Sequence, residues 1–291
     1  MATNQMRREA AKRKLERQQQ RRAEQAKRRQ RVAIITSASV VVVVVVAVVL
    51  LSTLGGGATT PPAAAPSAAP TTSAAPVTPV VPAAIPSAIV PLPKRPTPLP
   101  ASVSCEYAPE GQPAKPVQPP SGAGVSATGT TTVTLQTNSG AIPLTLDKAL
   151  APCTVNSMVS LAQQGYFDGT SCHRLTTDPG LQVLQCGDPT GSGSGGPGYT
   201  VPDEYFPELT YGRGILAMAN TGRPNTGGSQ FFMVYGDGQL PPQYTAFGSI
   251  SPEGLSVVDA IATRGHNGAF DPSPGGGQPI EPVTIEKATV S

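Results

Sequence analysis

Two histidines, His173 and His266, and four cysteines, Cys105, Cys153, Cys172 and Cys186, are the side chains best suited to nucleophilic or metal chemistry in this chain of 291 residues. The cysteines fall 48, 19 and 14 positions apart, unlike the close pairs of zinc ligands, so a metal is not expected. No Gly-x-Ser-x-Gly turn is present. A Ser/His/Asp triad would have to recruit one of the two histidines without supporting context, which sets hydrolysis aside. The glycine-rich run at 191–196 has the composition of a phosphate cradle. Pro197 and the extended 198–202 follow it where a helix start is required, so it reads as a loop.

The elements that would position a site can be read from periodicity. Residues 131–137 and 142–147 alternate apolar and polar around Asn138-Ser139-Gly140, the pattern of a β-hairpin. Pro152 suits a first helical turn, with Val155, Met158, Val159 and Ala162 on one face and Gly165 just past the end. A second helix follows the same grammar: Ser251 as N-cap, then Pro252, the apolar Val257, Val258 and Ile261, and Gly265 as the stop. Short apolar runs at 181–184, 215–218 and 231–234 lie between Gly/Pro loops. Two helices among many short strands predict a mainly β fold, a closed antiparallel barrel with helices at its ends.

In chain order, Tyr166-Phe167-Asp168-Gly169-Thr170-Ser171-Cys172-His173-Arg174-Leu175, Leu184-Gln185-Cys186-Gly187-Asp188 and Gly195-Gly196-Pro197-Gly198-Tyr199 are followed by further blocks. These are Arg213-Gly214-Ile215-Leu216-Ala217-Met218-Ala219-Asn220, Asn225-Thr226-Gly227-Gly228-Ser229-Gln230-Phe231-Phe232, Thr245-Ala246-Phe247-Gly248 and 254–261. The ordered set resembles the cyclophilin-type peptidyl-prolyl cis/trans isomerases, here in a membrane-anchored bacterial form. The resemblance covers the chain from Thr131 onward.

It implies an eight-stranded antiparallel barrel capped by two helices, and an enzyme that rotates the bond before proline without a cofactor. By motif match, Arg174 is the catalytic hydrogen-bond donor and Gln185 its supporting, substrate-contacting partner. Asn220, Gln230, Phe232, Leu240 and Phe247 match positions that hold the peptide and its proline. Alone, Arg174 would read as a surface ion pair and Phe232 as ordinary core. The segment 175–184 is longer than the usual hairpin and lacks the Phe-Met pair found there, so Leu181 and Val183 are the expected substitutes. Tyr244 stands where many relatives have histidine, and Gln239 where a tryptophan is associated with cyclosporin contact.

Composition divides the rest. Of 21 Lys/Arg, 12 fall in residues 1–31, against 3 Glu. The other 9 face 15 acidic residues, so the remainder is mildly acidic and nucleic acid is not an expected partner. Residues 32–54 carry no charge and are long enough to span a bilayer, and the basic tail before them places the N-terminus in the cytoplasm. A cleaved signal is disfavoured by the long charged region and long apolar core. Residues 55–126, rich in Pro, Ala, Thr and Ser, read as a disordered linker. Residues 127–291 then form a monomeric isomerase domain outside the membrane, assisting the folding of proline-containing clients. In an oxidising exterior the four cysteines can form up to two disulfides, in three connectivities, or remain buried thiols.

Overall fold

The computed structural model describes residues 78–291. The basic tail, the apolar 32–54 span and the linker up to residue 77 lie outside the described residues. Among the described residues, no helix is long and apolar enough to cross a membrane.

Alternation in the first hairpin becomes a pleated pair. Strand β3 (Thr130–Thr137) runs against β4 (Gly140–Asp147), with Thr137 opposite Gly140 across the Asn138-Ser139 turn. Val133 and Leu135 meet Leu144 and Ile142, and all four are buried. The chain continues through helix α1 (Pro152–Gln163), β5 (Thr170–Ser171), β6 (Arg174–Leu175), β7 (Leu181–Cys186), β8 (Ile215–Met218), β9 (Phe231–Gly238) and β10 (Ala246–Ile250). Helix α2 (Pro252–Arg264) and β11 (Thr284–Val290) complete it. Upstream, β1 (Ser102–Val103) and β2 (Val125–Ser126) make a separate antiparallel pair.

The main sheet has nine strands in the order β5-β11-β3-β4-β10-β8-β9-β7-β6, every pair antiparallel. The expected closed, eight-stranded barrel is thereby corrected. Residues 170–175 break at Cys172-His173 into two short edge strands, one on β11 and one on β7. These edges are consecutive in the chain, so the sheet curls until a covalent corner joins them, with no hydrogen-bonded seam between β5 and β6.

Period-two alternation gives the sheet two cores. Leu184, Leu216, Phe231 and Met233 enter the larger one beneath the helices. Their neighbours Val183, Ile215, Ala217, Phe232 and Val234 face a smaller cluster with Leu150, Phe206 and Tyr211. The candidate site is built over that smaller core.

Both helices start and stop where the residues direct. The Ser251 side chain accepts the Gly254 N–H at 3.0 Å, and Gly265 ends α2 at φ 81°. Ala151 offers α1 no side-chain cap. Glu204 reaches in instead, accepting the N–H groups of Cys153 and Thr154 at 2.9 and 2.8 Å and the Thr154 hydroxyl at 2.7 Å. Burial pushes the Glu204 carboxyl up, against these donors and the nearby Arg95.

Residues 78–126, read as the larger part of a disordered linker, are instead a strap bound to the domain. Val80 bridges His266, and the Val90 N–H donates to Arg213 O. Arg95 donates from Nε to Leu150 O and from Nη2 to Glu204 O, both at 2.7 Å, with its guanidinium 5.5 Å from the Phe206 ring centre. A disulfide joins Cys105 to Cys153. The Tyr107 hydroxyl donates to Cys153 O, and Lys115 Nζ donates to Gly165 O and Asp168 O. Apolar burial alone would not order a proline-rich strand. A crosslink that removes chain entropy and long polar side chains that reach backbone carbonyls supply what composition does not reveal.

Candidate active site

Register brings the first two site residues together. On the antiparallel pair β6–β7, Arg174 stands directly opposite Gln185. Nη1 of Arg174 donates to Gln185 Oε1 at 3.2 Å. Gln185 Nε2 donates to Gln230 Oε1 at 3.0 Å, and Gln230 Nε2 donates to the carbonyls of Gly193 and Gly195 at 2.9 and 3.0 Å. An amide relay thus runs from the guanidinium to the glycine-rich loop. On its other side, Arg174 donates from Nε to Gly275 O at 2.9 Å and from Nη2 to Pro274 O at 2.8 Å. A guanidinium has five N–H groups, so each terminal nitrogen keeps one beyond these bonds. Burial lowers the Arg174 pKa, yet an arginine stays cationic at any physiological pH.

The second disulfide, Cys172–Cys186, brackets this pair: Cys172 is two residues before Arg174, and Cys186 directly follows Gln185. It fixes the covalent corner of the sheet to β7. Of the possibilities left open by the sequence, the structure holds both disulfides, and among the described residues no cysteine is free.

A groove of about 470 Å³ opens beside the guanidinium. Its apolar side is made by Leu181, Val183, Phe232, Leu240 and Tyr244. Phe232 is only 5% exposed and meets the Tyr244 ring edge-on, centroids 5.5 Å apart. Tyr244 is fixed in turn by Tyr211, whose hydroxyl donates to Tyr244 O at 2.6 Å and accepts the Tyr244 N–H at 3.0 Å. Asn220 lines the rim, its amide donating to Gln243 O in the loop between β9 and β10 and accepting the Gly222 N–H of its own loop. A second groove, about 580 Å³, shares Gln185, Gly193, Ala219 and Asn220 with the first and contains Gln230.

One expected site residue lies elsewhere. Phe247 is fully buried in the larger core. Its neighbour Ala246 faces the smaller core under the groove, and the β10–β8 register slips between Ala246 and Gly248. Phe247 is the extra residue of that bulge and points inward. Further groove residues were not among those expected. His173 lines the groove although 5% exposed, and neither ring nitrogen has a partner among the described residues. Burial first, and then the adjacent Arg174 charge, hold its pKa below the usual value against the pull of Asp188, so it is neutral at pH 7. Phe270 and Pro274 arrive from an irregular loop that no periodicity marks.

Asp188 organises the glycine loop between the grooves. Its carboxylate accepts the Thr190 N–H and hydroxyl at 2.7 and 2.8 Å and the Gly193 N–H at 2.7 Å. Burial pushes this carboxyl up, but Thr190 and the N–H groups of Gly195, Thr190 and Gly193 together outweigh it and hold the pKa below the ordinary aspartate value. A depressed folded-state pKa stabilises the fold above the unfolded value and loses that contribution as pH falls through the folded one. We therefore expect the denaturant midpoint to carry an acid-side loss below about pH 4 that Asp188→Asn removes. An unchanged acid limb in Asp188→Asn would show that the loop does not depend on this charge.

The family model for cyclophilin type peptidyl-prolyl cis-trans isomerase/CLD matches residues 132–290, more than half of the chain. A probable peptidyl-prolyl cis-trans isomerase B of Mycobacterium tuberculosis is 50% identical over 196 residues, covering 62% of each protein. The corresponding Mycobacterium leprae protein is 48% identical over 198 residues, covering 63% of this chain and 65% of its own length. The chain thus spans less than two thirds of the length of these relatives. A crystal structure of a Cryptosporidium parvum cyclophilin-type isomerase aligns with 31% identity and a TM-score of 0.46, covering 56% of this chain and 98% of that one.

Proposed function

We propose that this chain, which belongs to the cyclophilin-type peptidyl-prolyl cis-trans isomerase family, accelerates rotation about X-Pro bonds in polypeptides outside the cell membrane and so assists their folding. The observation that carries this reading is a half-buried guanidinium at the edge of an apolar notch, with terminal N–H groups beyond its anchoring bonds.

Rotation about X-Pro meets a barrier of about 18–20 kcal/mol because the twisted amide loses its conjugation. Uncatalysed, it takes tens to hundreds of seconds. In the twisted state the proline nitrogen becomes pyramidal and acquires a lone pair. Phe232, Leu240 and Tyr244 would hold the ring, while Arg174 donates to that lone pair and Gln185 keeps the guanidinium in plane. Because the planar ground state has no such acceptor, the bond strengthens on the way to the transition state, the condition for raising kcat. The reaction requires no nucleophile, acid or metal, and His173 stays neutral through it.

The proposed place of action is the outer face of the membrane. A span at 32–54 behind the basic tail would anchor the chain with its N-terminus inside. The two disulfides support an oxidising compartment, where such bonds persist. Exchange NMR on an Ala-Pro peptide with the full-length chain tests the activity, and spontaneous interconversion rates in its presence would refute it. Protease added to sealed cells should spare residues 1–31, and loss of that tail would reverse the orientation.

A further inference from the structure

The second groove has a wall that the family domain does not supply. Residues 108–114 precede the matched 132–290 region and lie along 196–200, the extended segment that follows the glycine-rich loop, in the manner of an added strand. Pro109 bridges Tyr199, the Glu110 N–H donates to Gly198 O at 2.9 Å, Thr200 N–H donates to Ala108 O at 2.8 Å, and Ala114 N–H donates to Gly196 O at 2.9 Å. The approach is close enough that a Cβ on Gly198 would sit 2.9 Å from Pro113. Both flanks are pinned. Cys105 is crosslinked to Cys153 and Tyr107 donates to Cys153 O on one side, while Lys115 donates to Gly165 O and Asp168 O on the other. The wall is therefore preorganised.

It presents Glu110, Gly111 and Gln112 to the groove, which Thr221 and Thr226 also line. Glu110 carries the only carboxylate or cation among the lining residues. The other ionisable group there is the buried Tyr199 phenol, which burial pushes up and keeps neutral. The Glu110 side chain is exposed, and the groove it borders shares Gln185, Gly193, Ala219 and Asn220 with the proline groove. A peptide whose proline occupies the first groove passes over those shared residues and places a flanking side chain in the second. A flexible stem tipped by a cation can lie along Gly195-Gly196-Pro197 and end at Glu110.

We infer that Glu110, held in place by the strap, selects clients with a lysine or arginine near the proline. The inference rests on the proposed isomerase activity and adds a specificity to it. An exposed ion pair is weak and screened by salt, so the preference should be about two- to fivefold at low ionic strength and should fade at high.

The test compares kcat/KM of the full-length chain for Ala-Pro peptides with lysine or glutamate two residues before, or two residues after, the proline. For the side that occupies the second groove, the lysine-to-glutamate ratio should exceed one in the wild type, collapse in Glu110→Gln and invert in Glu110→Lys. A role confined to holding the fold would change all peptides together and leave that ratio alone, and Glu110→Gln carries the test if Glu110→Lys fails to fold. Catalysis with a ratio indifferent to residue 110 on both sides overturns the inference and leaves the activity standing. Absence of catalysis with every peptide in the wild type removes both.

Discussion

Arg174→Ala should slow catalysed exchange of an Ala-Pro peptide about ten- to hundredfold, the rate equivalent of one charged hydrogen bond worth about 1.5–3 kcal/mol made in the twisted state. The loss should fall on kcat, with little change in KM, because the planar substrate offers the guanidinium no lone pair. Arg174→Lys separates charge from geometry. An ammonium is a point charge and cannot bond Gln185, Pro274 and Gly275 at once as the planar fork does. Lysine should therefore rescue poorly, although the positive charge remains. Near-wild-type kcat in Arg174→Ala, with a thermal midpoint showing the fold intact, would end the assignment. So would full rescue by lysine, since the field of a mere cation would then suffice.

What could be read from the chain beforehand has a consistent physical character. Hairpin 130–147 and helix α2 are specified by residues within a few positions of each other, an alternation, a turn, Ser251 and Gly265, and these local signals survive folding intact. Arg174 and Gln185 were legible because each lies in a contiguous block of its own, 166–175 and 184–188, and the β6–β7 register then put them face to face. What escaped is long-range. Glu204 caps α1 from 51 positions away, where no capping pattern would direct a search. Tyr107 and Arg95 bond carbonyls 46 and 55 positions distant and make a strap of residues whose composition signals disorder. Composition estimates how much apolar surface a segment can bury. It is blind to a disulfide partner and to a few side chains that anchor a backbone elsewhere. The strap escaped for this reason, and with it the second groove's wall.

Phe232 and Phe247 make the sharpest test of how the fold divides labour, because the sequence placed both in the proline pocket. Phe247 is the extra residue of the β10 bulge and fully buried among the larger core, so Phe247→Ala leaves a cavity no groove can drain. It should lower the unfolding free energy by about 3–5 kcal/mol, as a shift of the denaturant midpoint at unchanged slope. KM for an Ala-Pro peptide, measured where the variant remains folded, should hardly move. Phe232 lies on the opposite face of the sheet, over the smaller core and edge-on to Tyr244. Truncating it removes part of the ring-binding surface, so Phe232→Ala should raise KM, with a stability loss smaller than that of Phe247→Ala because one side of the vacated space opens to solvent. A large KM rise in Phe247→Ala with a stability loss under about 1 kcal/mol, the range of surface substitutions, would put that ring back in the pocket and the bulge in the wrong place.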